Sequence, residues 1–431
     1  MNYNVYRKIL PNKMKVLMIP MDNTETIAVG MFIKVGSRYE NKNNNGIAHF
    51  LEHMMFKGTT HMNTTTIANK LDSVGARYNA ETSYEQTSYY IYGHKDDSNL
   101  FIKIITDIYL NPKFPKEDIE TEKGVVTEEL NMTVDEPGEQ LHELMFSNIF
   151  NNSSLGYPII GTRQNILNYT RNDIIDFRKT FYIPERTVFV VVGNFNKNKT
   201  LKLIKGIFKK KGNKKDKEIT FPYNEPSIKS QPLFKIKKAK ISQTSLTIAF
   251  KSQSIFSERE EIYDLISDIL TSGTSSRLFV LLRNKLGAIY YCSAYNMSFT
   301  KEGVFIINIG VDNNRIDEVI KKVLEDLDYL RHNGVTTEEL QKAKKMRITS
   351  FLVGLSAPQD ILSYYGNNEI TYRTDNTEDN LYFKHNMSIN DHIKNYEKIT
   401  LNDVNEVIIE LFRKENLNIF IYGKQPKKML K

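Results

Sequence analysis

The chain has no tryptophan and a single cysteine, Cys292, among its 431 residues. One thiol cannot build an internal disulfide framework or a CxxC metal knuckle, so Cys292 reads as a small residue of a strand. Any metal must then be held by His, Asp or Glu. Long apolar runs are also missing: none approaches the ~18 residues that a membrane-spanning helix needs. The first residues, MNYNVYRKILPNKMKVLMIP, have neither a signal-peptide core nor an Arg- and Ser-rich transit character, and predict two short strands around Pro11-Asn12-Lys13 and a cytoplasmic protein. Only 21 Gly and 12 Pro stand beside 40% hydrophobic and 26% charged residues, which excludes collagenous, low-complexity and disordered classes. At ~100–200 residues per domain the length predicts two domains or more.

Charge is unevenly placed. The 59 basic and 51 acidic residues leave a net +8, and the stretch Lys209–Lys240 alone sets eleven Lys against Asp216, Glu218 and Glu225. The rest of the chain is therefore balanced. With Gly212, Pro222, Pro226 and Pro232 in it, residues 209–232 read as a solvated lysine-rich connector. Basic and aromatic residues do not alternate there as a stacking groove requires, so no nucleic-acid role is expected.

The halves flanking the connector read as a diverged repeat. The first has a strand over Thr26–Lys34, a helix around Ile47–Phe56, an extended stretch Arg77–Tyr92, helices around Asn99–Leu110 and Pro115–Phe150, and a strand Thr187–Val192 running into Gly193. The second has a strand Thr244–Phe250, helices at Glu258–Leu270 and near Ser276–Asn284, strands Ile289–Met297 and Val304–Val311, helices Ile316–Arg331 and Thr337–Leu352, and a strand Leu417–Tyr422 running into Gly423. The pattern predicts an α+β fold of two homologous domains, 1–208 and 233–431, each a mainly antiparallel sheet packed with helices.

The most informative segment is Gly46–Thr59, GIAHFLEHMMFKGT. Ile47, Phe50, Leu51, Met54 and Met55 give it helical period, which places His49 and His53 at i and i+4 on one face, about 6 Å apart. Two neutral imidazoles so placed can share one Zn²⁺ at ~2.0–2.1 Å each. Glu52 borders the same face, where it can take a proton from a metal-activated water. HxxEH is the chain-reversed form of the HExxH helix, and random placement would produce it in a sequence of this length only about 0.01 times. A third ligand is needed. EKGVVTEEL (122–130) offers Glu122, Glu128 and Glu129; Glu122 and Glu129 lie two turns apart on one face, and spacing does not choose between them. His61, His94, His142, His332, His385 and His392 have no ligand spacing among them.

HFLEH with a glutamate 76 residues beyond the second His resembles the pitrilysin/insulinase family of zinc metallopeptidases, and within it the mitochondrial-processing-peptidase-like branch with its short bacterial relatives. The resemblance runs through residues 35–59, NAETSYEQTSYY (79–90), EKGVVTEEL, LGYPIIGT (155–162), YIPERTVFVVVGN (182–194) and SSRLFVLLRNKLGAIYY (275–291). It implies Glu129 as the third ligand, Glu122 as the carboxylate that orients a ligating His, and one Zn²⁺ per chain. It implies that Arg283 and Tyr290 come from the second domain, Tyr290 to stabilise the oxyanion and Arg283 to hold a substrate carbonyl. Asn79 and Ala80 then match an edge strand that pairs with extended substrate. Glu139 and Glu143 match acids that receive basic substrate side chains. The implied function is a zinc endopeptidase for unfolded or extended peptides with a processing-type preference for basic residues. The implied assembly is a homodimer, or a heterodimer with an inactive homologous subunit. The rival reading is a structural subunit like the core proteins of the bc1 complex, which resemble the same family.

Overall fold

A computed structural model describes residues 3–151, 153–209, 233–372 and 388–427. The expected connector, apart from Lys209, lies outside the described residues. Strands Tyr6–Ile9 (β1), Lys15–Pro20 (β2), Thr26–Ile33 (β3), Arg77–Thr82 (β4), Thr87–His94 (β5) and Thr187–Gly193 (β6) form one sheet. Its order is β1-β2-β6-β3-β5-β4. Strands Leu233–Lys238 (β7), Gln243–Ser252 (β8), Ile289–Ser298 (β9), Gly303–Asp312 (β10) and Leu417–Gly423 (β11) form the second, ordered β7-β11-β8-β10-β9. Without β1 the two orders coincide strand for strand. Each has one parallel pair, β2–β6 and β7–β11, and is otherwise antiparallel. The fold is the expected α+β one, and the repeat inferred from the sequence is a repeat of topology.

The chain separates into two compact units, with boundaries at Met132/Thr133, Phe150/Asn151, Val353/Gly354 and Ser388/Ile389. The contiguous division into 1–208 and 233–431 is therefore corrected at two places. The expected helix Pro115–Phe150 is two helices, Lys116–Asp135 and Pro137–Ile149, separated by Glu136 in an extended conformation. A residue before proline is driven out of the α region, which is why the helix stops there. Pro137–Ile149 then packs on β7, β8 and β11 of the second unit. The same event recurs after the Thr337–Gly354 helix: Pro358 opens Pro358–Thr371, which packs on β3 and β6 of the first unit.

Burial explains the exchange. All of β6 and all of β3 except Thr26 are buried, so both faces of that sheet need cover. Ile27, Val29, Met31 and Ile33 pack with the first unit's own helices. Gly30 and Phe32, on the opposite face, meet the exchanged helix. A Cβ at Gly366 would fall 2.3 Å from the Phe32 ring, so only glycine lets the helix come this close. Glu369 of that helix is fully buried and forms ion pairs with Lys15 at 3.0 Å and Arg7 at 3.2 Å, which ties it to β1 and β2.

Candidate metal centre

The Ile47–Met55 helix begins without a side-chain cap from its own N-cap residue, Gly46. Gly46 is held at φ +99°, and a Cβ there would lie 2.6 Å from the Ile160 carbonyl oxygen. Glu40 supplies the missing acceptor. Its fully buried carboxylate accepts from Gly46 N and Ala48 N, both at 2.7 Å, and from Asn45 Nδ2 at 3.0 Å. Burial pushes this carboxyl up to about 8, while the three N–H donors pull it down. With its first turn anchored, the helix buries Ile47, Phe50, Leu51, Met54 and Met55 and leaves the opposite face to the two histidines.

His49 and His53 stand with ring centroids 4.6 Å apart. The Lys116–Asp135 helix brings Glu129 opposite both: Oε1 lies 3.6 Å from His49 Nε2 and Oε2 lies 3.5 Å from His53 Nε2. Glu122, two turns earlier, meets the other side of His53, with Oε1 at 2.8 Å from Nδ1. Lys57 Nζ is 2.6 Å from the second Glu122 oxygen. Burial opposes charging His53, but Glu122, Glu52 and Glu129 outweigh it and raise its pKa. The neighbouring His49 is the main cause holding the Glu129 carboxyl below the usual range.

This donor set fits a zinc ion. Two ligands at ~2.0–2.1 Å from one tetrahedral zinc lie about 3.4 Å apart. The observed 3.5 and 3.6 Å match that spacing and exceed a normal hydrogen bond. One ligand atom from each of the three residues lies within 4.8 Å of the others. With Nδ1 of His53 donating to Glu122, Nε2 keeps its lone pair for the ion. Replacing this outer carboxylate should cost metal affinity without removing a ligand: Glu122→Ala is expected to bind zinc about 10–100-fold more weakly. Competition with a chromogenic chelator measures it, and unchanged affinity would remove Glu122 from this role.

Glu52 projects from the same helix, and Thr82 Oγ1 donates to its Oε2 at 2.6 Å. Thr82 ends β4, the free edge of the first sheet. Along β4 the side chains alternate: Tyr78, Ala80 and Thr82 are half-buried, Asn79 and Glu81 exposed. Among the described residues, Asn79 and Ala80 therefore stand on an edge with no further strand beside it, next to the Ile47–Met55 helix.

The other expected residues belong to the second unit. Glu139 and Glu143 lie on the Pro137–Ile149 helix, and Glu143 is raised by burial against the opposing pull of Lys237. Arg283 sits in a π-helical turn, Phe279–Lys285, where Nη1 donates to the Ile289 carbonyl at 2.6 Å. This clamps the backbone just before Tyr290, a residue 58% exposed at the start of the edge strand β9. Helical turns of this kind are rare and concentrate at functional sites.

The repeat also shows what stands in the second unit in place of His49, His53 and Glu129. Gly58 and Gly273, at φ +101° and +78°, follow corresponding helices. Counting back nine residues from each pairs His49 with Asp264, and counting back five pairs His53 with Asp268. From Thr337–Gly354, the helix in the place of Lys116–Asp135, Arg347 Nε donates to Asp268 at 2.7 Å, and its Nη2 lies 3.7 Å from the Asp264 carboxylate. Tyr396 donates to Asp264 at 2.7 Å. A guanidinium thus neutralises two acids where the first unit gathers two imidazoles and a carboxylate. Sequence reasoning missed this correspondence, and missed Glu40, Lys57 and Thr82. The paired Gly-Thr steps at 58–59 and 273–274 were the available signal for the first.

Comparison with known proteins gives two family matches, one after the other along the chain. Residues 15–163 match the family model for insulinase (peptidase family M16), and residues 168–347 match that for the peptidase M16 inactive domain. An uncharacterized zinc protease of Bacillus subtilis, YmxG, is 30% identical over 368 residues, covering 85% of this chain and 88% of its own. An uncharacterized zinc protease of Streptomyces coelicolor is 27% identical over 424 residues, 96% of this chain and 89% of its own. Among solved structures, a protease from Helicobacter pylori has a similar fold, with a TM-score of 0.90 at 23% identity over 98% of this chain and 100% of that one.

Proposed function

The chain belongs to the insulinase family, peptidase family M16, and on that premise we propose that it is a zinc-dependent endopeptidase acting on unfolded or extended peptides. One observation carries the reading: two imidazole Nε2 atoms and the Glu129 carboxylate converge at zinc-ligand spacing, with Glu52 on the same helix. Zinc held by His49, His53 and Glu129 would supply an acidified water and a polarised scissile carbonyl. Glu52 takes the proton of the attacking water and passes it to the leaving amine. Asn79 and Ala80, on the free edge of β4, pair with substrate main chain, a mode that binds peptide without reading its side chains. The Tyr290 hydroxyl donates to the developing oxyanion and Arg283 holds a substrate carbonyl.

Glu139 and Glu143 give a preference for Arg or Lys near the cleaved bond. Comparing basic and neutral quenched peptides on Glu139→Gln/Glu143→Gln protein tests it, and unchanged ratios would discard it. A homodimer encloses the substrate, which sedimentation would contradict by showing only monomer. The activity itself is tested by chelation: 1,10-phenanthroline should abolish cleavage of an unstructured quenched peptide, and added Zn²⁺ should restore it. Cleavage that persists with the zinc removed would refute the proposal.

A further inference from the structure

The Thr82 hydroxyl stands 2.6 Å from Glu52 Oε2, within the range of a charge-assisted O–H···O⁻ bond. It is the only hydrogen bond to the Glu52 carboxylate among the described residues. We infer that Thr82 is a positioning residue for the general base: it fixes the Glu52 carboxylate through one oxygen and leaves the other free to take the proton. This rests on the reading of Glu52 given above.

The geometry is built from both sides by one short segment, Gly36–Glu40. At one end it bolts down the turn that follows Thr82. Ser37 N donates to Ser83 O at 3.2 Å and Arg38 N donates to Tyr84 O at 2.8 Å. The fully buried Arg38 forms an ion pair with Glu85. A Cβ at Gly36 would fall 2.1 Å from Ser83 O, so the contact requires glycine. At the other end Glu40 holds the first turn of the helix that carries Glu52. The β4–β5 turn and the metal-site helix are thus referenced to the same buried backbone, and Thr82 and Glu52 meet where the two converge.

A carboxylate on a helix surface otherwise samples several rotamers, and a general base works only when held within hydrogen-bond reach of its proton. Thr82 also lies on the strand whose edge is assigned to substrate, two residues beyond Ala80. Peptide pairing with β4 and the orientation of the base therefore share one element.

The test compares Thr82→Val, Thr82→Ser and Glu52→Gln in the full-length zinc-loaded protein, measuring bound zinc, kcat and KM on one quenched peptide. Valine keeps the shape and removes the hydroxyl. It should leave zinc at wild-type stoichiometry and KM within about 2-fold while lowering kcat roughly 10–100-fold. Serine, which retains the hydroxyl, should recover most of that loss. Wild-type kcat in Thr82→Val would overturn the inference, and so would a loss in Thr82→Ser equal to that in valine, because packing would then be the cause. A Glu52→Gln protein that still turns over would instead overturn the reading of Glu52 itself, so the two failures are distinguishable.

Discussion

Glu52→Gln is expected to keep its zinc and to lose turnover by about 10²–10⁴-fold, the usual contribution of a positioned general base. The amide matches the carboxylate in size and can still accept from the Thr82 hydroxyl through its oxygen. The metal set of His49, His53 and Glu129 does not include it. What disappears is the capacity to accept a proton. The variant therefore separates metal binding from chemistry, which a ligand substitution cannot do. It should also bind uncleaved peptide with an affinity close to the wild-type KM if chemistry is slow relative to dissociation. Zinc-loaded Glu52→Gln that hydrolyses peptide at the wild-type rate would eliminate the mechanism.

The largest effect on stability is expected at Glu369, far along the chain from the metal centre in sequence. Its side chain is fully buried and its partner Lys15 is only 13% exposed, whereas Arg7 is 35% exposed. Removing one member of a buried ion pair costs about 3–5 kcal/mol, because the remaining charge loses its compensation without regaining water. Arg7 is open enough for solvent to screen it, so the lower end of that range applies. Glu369→Ala should then lower the apparent Tm by roughly 6–12 °C, taking 2–4 °C per kcal/mol for a body of 150–250 residues. The loss should appear first where the exchanged helix meets β1 and β2, as faster amide exchange in those strands. A Tm within about 1 °C of wild type would mean that apolar contacts such as that between Gly366 and Phe32 hold the helix by themselves.

Much of the fold was legible because its signals are local. The alternation along β8 and the apolar runs of β3, β6 and β10 identify strands whatever surrounds them. The two halves could be aligned by the order of such elements. The exchange of helices could not be read this way. Pro137 and Pro358 announce that a helix ends, but which sheet the next helix covers depends on which face is left open. That is a property of the assembled units and not of any window of sequence.

The centre divides in the same manner. Helical period placed His49, Glu52 and His53 on one face, since residues three and four apart must be neighbours there. Period also placed Glu122 and Glu129 on one face of their helix, and for that reason could not distinguish them. At 1.5 Å per residue they are about 10.5 Å apart along the axis, and the crossing of the two helices decides which meets which nitrogen. Glu122 meets His53 Nδ1 and Glu129 faces the two Nε2 atoms. Thr82 was hidden for a different reason. Threonine is an ordinary strand residue, and nothing local indicates that its hydroxyl ends on a carboxylate 30 positions earlier. Asp264 and Asp268 read as a charged helix face until the repeat aligns them with His49 and His53, and Arg347 until it is seen to meet both acids.

The most direct test of the central claim is metal analysis of purified wild-type protein beside His53→Ala, each coupled to cleavage of a quenched unstructured peptide. About one zinc per chain in the wild type is expected, because the second unit's counterpart site is filled by Arg347. Both zinc and cleavage should be lost in the variant. Wild-type protein that binds no zinc, or a His53→Ala protein that keeps both its metal and its activity, would contradict the account.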